Sequence, residues 1–141
     1  MKDIEIAQKI LLEKNKTLVI VKNKEVIFSS EEKGIKPMYN AVKQLESKLA
    51  GASLADRVIG KAAAMLAVYA NIKEMHTVLI SKGGKVVLDE SKIIYTYEKC
   101  VPYIKNRNKN DLCPIEKISQ SISNTADLIN EIEIFLGELE D

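Results

Sequence analysis

The sequence predicts a three-layer α/β or α+β sandwich, in which a few strands are held between helices. Three observations carry this. Helix-patterned and strand-patterned segments follow one another in the order α-β-β-α-(loop)-α-β-β-α-α. Residues 61–72 are apolar on nearly every side, as a helix in the middle of a domain must be. Short β-branched runs at 17–21, 25–28, 77–81 and 85–88 supply strands for it to pack against.

Each element has its own reason. In residues 3–14, Ile4, Ala7, Ile10 and Leu11 fall at helical spacing, and Asp3 suits the cap. The runs 17–21 and 25–28 flank the polar Lys22-Asn23-Lys24, which predicts a hairpin. Residues 29–36, with Gly34, read as loop, and Pro37 suits the first turn of a helix. Met38, Ala41, Val42, Leu45 and Leu49 line one face of that helix, and Gly51 stops it. Gly60 stands at the start of the apolar helix 61–72, whose alanines give it high helix propensity. Runs 77–81 and 85–88 flank Lys82-Gly83-Gly84, where glycine supplies positive φ, so a second hairpin is predicted. Residues 93–104 are ambiguous: Ile93 and Ile94 favour strand, Tyr97 to Ile104 favour helix, and Pro102 suits the interior of neither.

After a polar loop at 106–111, Pro114 opens a helix. From Ile115 the apolar positions Ile118, Ile122, Ile129, Ile132, Leu136 and Leu139 advance in heptad steps, with Thr125 as a polar lapse. The serine-rich stretch 119–125 can divide this into two helices, with Ser123 or Asn124 as cap. Two readings stay open for the apolar stripe: it docks on its own domain, or it forms the seam of a homodimer.

Composition narrows the function. The chain has 141 residues, 46% hydrophobic and 29% charged, which suits a single domain over 1–141. A chain of this size buries about two-thirds of its unfolded surface and folds without disulfides or metal. With 21 basic and 20 acidic residues, the net charge of +1 argues against a dedicated nucleic-acid binder. No apolar run approaches the ~18 residues of a membrane span. The acidic N-terminus lacks a signal-peptide core, so a cytoplasmic protein is expected. Cys100 and Cys113 are read as thiols.

Metal and nucleotide motifs are weak. His76 is the only histidine, the cysteines are 13 apart, and no CxxC or HExxH occurs, so no metal is expected. Gly60-Lys61 resembles the end of a phosphate loop, but Gly51 lies nine positions earlier and Ala62 replaces the required hydroxyl. A glycine ahead of a helix still leaves N–H groups free for an anion, with Lys61 beside them. Only two of the 21 basic residues are arginine, Arg57 and Arg107, and the planar fork of arginine suits a carboxylate or phosphate. Cys113, at a helix start beside Pro114 and Glu116, is the candidate reactive thiol. Tyr95, Tyr97 and Tyr103 read first as core packing and second as stacking groups for a base.

Two stretches carry a resemblance. Asp56-Arg57-Val58-Ile59-Gly60-Lys61-Ala62-Ala63-Ala64-Met65-Leu66 is one, and Asn106-Arg107 followed by Cys113-Pro114-Ile115-Glu116 is the other. Together they resemble the prokaryotic family known as domain of unknown function 1893, of the cytidine deaminase-like superfamily, over roughly residues 15–120. The resemblance implies an α/β/α sandwich with a mixed sheet and a ligand site at helix N-termini. Residues from about 121 to 141 form an extra C-terminal helix outside it. Active zinc deaminases open the central helix with a His or Cys followed two residues later by Glu, and the next with PCxxC. Gly60-Lys61-Ala62-Ala63 offers neither ligand nor acid, and PCxxC is missing. Classical zinc-dependent deamination is therefore not expected, and no cofactor is implied.

The expected function is a zinc-free, deaminase-fold domain that binds a small anionic or nucleotide-like molecule. Arg57 and Lys61 would hold the anion at the Gly60 turn, Asn106 and Arg107 would complete the pocket, and Asp56 would orient Arg57 or a ligand hydroxyl. Cys113 and Glu116 are the candidate chemical groups, as nucleophile and proton carrier. The alternatives are a Cys113-dependent enzyme and an interaction module that dimerises through the heptad helix. No nucleic acid or membrane partner is expected.

Overall fold

The computed structural model describes residues 1–104 and 114–140. It is an α/β sandwich around one five-stranded mixed sheet. Helix α1 (Asp3–Glu13) leads into β1 (Leu18–Lys22) and β2 (Glu25–Ser30). Helix α2 (Lys36–Leu45) and a short 3-10 turn (Glu46–Leu49) precede β3 (Ser53–Ile59). Then follow α3 (Lys61–Tyr69), β4 (Glu74–Ser81), α4 (Lys82–Asp89), β5 (Ile94–Val101), α5 (Pro114–Gln120) and α6 (Thr125–Glu140).

The strand order is β2-β1-β3-β4-β5. β1 runs antiparallel to both β2 and β3, whereas β3, β4 and β5 run parallel. Parallel neighbours need a crossover, and α3 and α4 provide the two that are required. These helices pack against each other, while α1 packs on β1 and β3. Residues along a strand alternate between the two faces. Val19, Val21 and Ala55 meet Ala7 and Leu11 of α1 on one face. Leu18, Ile20 and Leu54 enter the main core with Met38, Leu66 and Met75 on the other.

The first hairpin forms as the sequence predicts, and its turn shows why. Asn23 and Lys24 both have positive φ (53° and 67°), the pattern of a tight two-residue hairpin turn. The Asp3 carboxylate accepts the N–H groups of Asn23 (3.1 Å) and Lys24 (3.0 Å). Asp3 is thus not the cap of α1: that position is Lys2, and Asp3 ties the helix to the hairpin.

Two further expectations are corrected. The predicted hairpin at 77–88 is instead strand β4 followed directly by helix α4. Ser81 caps α4, its hydroxyl oxygen accepting the Gly84 N–H at 3.0 Å. Neither Gly83 nor Gly84 is among the glycines with positive φ. A Cβ on Gly84 would lie 3.1 Å from the Gly60 carbonyl and 3.2 Å from the Ile59 oxygen. Glycine there admits a close approach of two backbones rather than a turn. The second correction is β3, read in the sequence as loop, which is the strand between β1 and β4.

At the C-terminus the chain does break into two helices. Asn124 caps α6, its side-chain oxygen accepting the Asp127 N–H at 2.8 Å. Leu128 and Ile132 of α6 are fully buried in the main core, and Ile129, Phe135 and Leu136 pack against it.

Candidate functional site

A cavity of about 590 Å³ opens beyond the carboxyl end of β3. This is where the sheet changes direction, since β3 has an antiparallel neighbour on one side and a parallel one on the other. Because β1 and β3 run antiparallel, β1 begins beside the end of β3, and the chain leaves β3 there through α3 toward β4. Its walls come from the start of β1, the loop of residues 32–35, the first turn of α2, the end of β3, the first turn of α3, Ile104 and α5. Most of that lining is apolar: Leu18, Met38, Ala62, Ala63, Ile104 and Ile115 all contribute.

Asp56 sits in the wall at a half-buried position on β3. It lies opposite Leu18 of β1 and Thr77 of β4 in the strand register. Its Oδ1 accepts the Val58 N–H at 3.3 Å. Burial pushes its carboxyl up to about 7, against hydrogen bonds from the Val58 and Arg57 backbones that pull the other way. No ion pair to it occurs among the described residues.

Glu116, on the first turn of α5, is the second carboxylate in the wall and is only 5% exposed. Its Oε1 accepts the Lys61 N–H at 3.5 Å, and its Oε2 accepts the Ile104 N–H. The first turn of a helix leaves N–H groups unpaired and favours an anion. Here the chain's own carboxylate takes that place. Gly60 makes room for it, since a Cβ would lie 3.2 Å from Glu116 Oε1.

Asp56, Arg57, Gly60 and Glu116, four of the residues singled out in the sequence, therefore line one cavity. The donors of Arg57, and the side chain of Lys61, are placed differently. Arg57 follows Asp56 on β3, so the two side chains leave opposite faces of the strand. Arg57 Nε donates to the Lys16 carbonyl (2.6 Å), and Nη2 donates to the Leu11 carbonyl (3.0 Å) and Asn15 Oδ1 (3.3 Å). These acceptors lie at the end of α1, where unpaired carbonyls favour a cation. The Lys61 side chain runs along Gly83 of α4 and does not line the cavity. Asn106, Arg107 and Cys113 lie outside the described residues.

The role of Arg57 is open to measurement. Arg57→Ala is expected to lower stability by about 2 kcal/mol in urea denaturation, because the Lys16 carbonyl loses its Arg57 donor and the Leu11 carbonyl keeps only the Lys16 N–H. Arg57→Lys should recover only part of this, since one ammonium replaces a fork bonded at two nitrogens. An unchanged midpoint for the alanine variant would show that the α1 end does not need this residue.

The remaining candidates are satisfied locally. His76 Nδ1 is 2.7 Å from the Thr96 hydroxyl, and Nε2 is 3.5 Å from Glu98. The Tyr95 hydroxyl donates to Asp89 of α4, and its ring stacks on Tyr97 at a centroid distance of 6.2 Å. Among the described residues, no cluster of three His, Cys, Asp or Glu could hold a metal ion. Among the described residues, no helix is long and apolar enough to cross a membrane. The Thr17–Leu18 and Lys33–Met38 walls were not singled out in the sequence. Gly34 (φ 82°) beside Pro37 marks a shaped loop there, which is the only local signal they carry.

Comparison with known proteins agrees with this architecture. A family model described as TM1506, domain of unknown function (DUF1893), matches residues 6–136. The crystal structure of a DUF1893 family protein (TM1506) from Thermotoga maritima is similar with a TM-score of 0.85 and 25% sequence identity. The likeness covers 94% of this chain and 89% of that one. A search of curated proteins returned no match. These findings give the family and the fold, not the wider deaminase-like superfamily.

Proposed function

The chain belongs to the DUF1893 family, and from that premise we propose that it is a small-molecule-binding domain whose site is the cavity at the carboxyl end of β3. The observation that carries the reading is the cavity itself: about 590 Å³, largely apolar, with the half-buried carboxyl of Asp56 and the buried carboxyl of Glu116 in its wall. Sites for small ligands have this size and this mixture of apolar wall with few polar groups. Its position outside the carboxyl end of β3, a strand of the parallel part of the sheet, is where open α/β folds bind ligands.

The deaminase-like reading enters without a catalytic metal. The opening of α3 is Gly60-Lys61-Ala62-Ala63, which has no side chain suited to zinc or to proton transfer from an acid. An anion at this helix start, the expectation from Gly60-Lys61, is not what the geometry favours. The N–H of Lys61 already faces Glu116. The reading is therefore binding, with no reaction assigned.

The test is a thermal-shift screen of a metabolite library against the wild type and Ala63→Phe. Ala63 lines the cavity, so the larger ring occupies it. Circular dichroism establishes that the variant folds. Ligands that raise the midpoint of the wild type and not of the variant are the expected result. Equal shifts in both proteins would place the binding elsewhere and overturn the reading.

A further inference from the structure

We infer that the cavity takes a small cation, with an amidine-like or amine head on an apolar body, and that the head is held by the Asp56 carboxyl. This rests on the cavity being a ligand site and adds the class of ligand. The walls offer hydrogen-bond acceptors and few free donors. Among the charged side chains in the lining, Glu32 and Lys33 are exposed, on the loop ahead of α2. Arg57 has both Nε and Nη2 turned to the end of α1. Glu116 already accepts one backbone N–H on each oxygen.

Asp56 is the exception. Its side chain accepts only backbone N–H groups, that of Val58 at 3.3 Å and that of Arg57, and has no cation paired with it among the described residues. A carboxylate has about four acceptor positions. One held in a half-buried wall, with acceptor positions unfilled, calls for donors from whatever enters. A planar head with two parallel N–H groups fits a carboxylate best, and a primary ammonium fits next. The rest of the wall sets the body of the ligand. Leu18, Met38, Ala62, Ala63 and Ile115 present apolar surface, which an aromatic or aliphatic body covers without leaving polar atoms unpaired. A carboxylate or phosphate head would instead meet the carboxyl groups of Asp56 and Glu116, and among the described lining residues the ammonium, Lys33, is an exposed one on the loop ahead of α2.

Matched probes on one body separate the possibilities: benzamidine, benzylamine, benzyl alcohol, benzoate and phenyl phosphate, titrated into the full chain at neutral pH. Binding is read from amide shifts of Val58, Gly60 and Ala63 in nitrogen-15 correlation spectra. Benzamidine and benzylamine are expected to move these amides, benzamidine more tightly. Asp56→Asn should weaken both by about tenfold or more while leaving benzyl alcohol unchanged. Movement of the same amides by benzoate or phenyl phosphate, without the cations, would overturn the ligand class and leave the cavity reading intact. Equal affinity of benzamidine for wild type and Asp56→Asn would overturn the role of Asp56. If none of the five moved these amides, the ligand class and the cavity reading would fall together.

Discussion

Asp56→Asn is expected to make the protein more stable above neutral pH, by about 2 kcal/mol, and to leave its stability near pH 4 unchanged. The sign follows from the raised carboxyl. In the folded chain burial pushes it up to about 7, from an ordinary value of 3.8. Between those two values the folded state holds a proton that the unfolded chain has released, so stability falls as pH rises through this window. Above about pH 7 both states are ionised and the loss levels off. A displacement of this size corresponds to about 4 kcal/mol as an upper bound, and solvent reaching the half-buried group reduces it. Asparagine keeps an oxygen for the Val58 N–H and removes the titrating proton. Urea midpoints for both proteins at several values from about pH 4 to about pH 8 give the difference curve, in which the other titrating groups largely cancel. A difference that stayed flat across the window would show that Asp56 is ionised in the folded protein. A carboxyl kept at such a cost, beside a cavity, is the kind of local conflict that functional sites retain.

Most elements were legible because one face of each is apolar. That holds for α1, for the β1–β2 hairpin with its polar turn, for α2 behind Pro37, for the all-apolar α3, and for α5 and α6 with the break between them. Local pattern failed where a residue answers to something distant. Gly83 and Gly84 look like turn residues, yet neither has positive φ, and Gly84 admits a close contact with the Gly60 backbone. Nothing in Lys82-Gly83-Gly84 alone distinguishes a turn from a close contact. Strand β3 was missed because Asp56-Arg57 interrupts its apolar run. Those two polar residues serve opposite faces, Asp56 toward the cavity and Arg57 toward the end of α1. The chemistry read into Arg57, a planar donor for oxygen acceptors, is the chemistry it performs, but the acceptors include carbonyls of its own chain. Likewise Glu116 stood out as an acid at a helix start, whereas its partner is the Lys61 N–H, 55 residues away. Residue type indicates what a group can bond; only the fold shows what it meets.

Ile132→Ala is expected to cost about 3 kcal/mol, the largest loss among these substitutions. Ile132 has no exposed surface and joins Leu128 in the main core, where α6 packs against α2 and α3. Removing its outer carbons forfeits their burial and leaves a space that the rigid elements around it fill only in part. The same variant separates the two uses of the heptad stripe. A stripe buried within one chain contributes the same free energy at any dilution. A seam between two copies links folding to association, so its contribution grows with protein concentration. Denaturation of wild type and Ile132→Ala at about 1 and about 100 µM should therefore give midpoints that differ between the proteins and not between the concentrations. A wild-type midpoint that climbed with concentration, and a variant midpoint that did not, would assign Ile132 to a contact between chains. The zero exposure of Ile132 and Leu128 within a single chain is the physical reason to expect the first outcome.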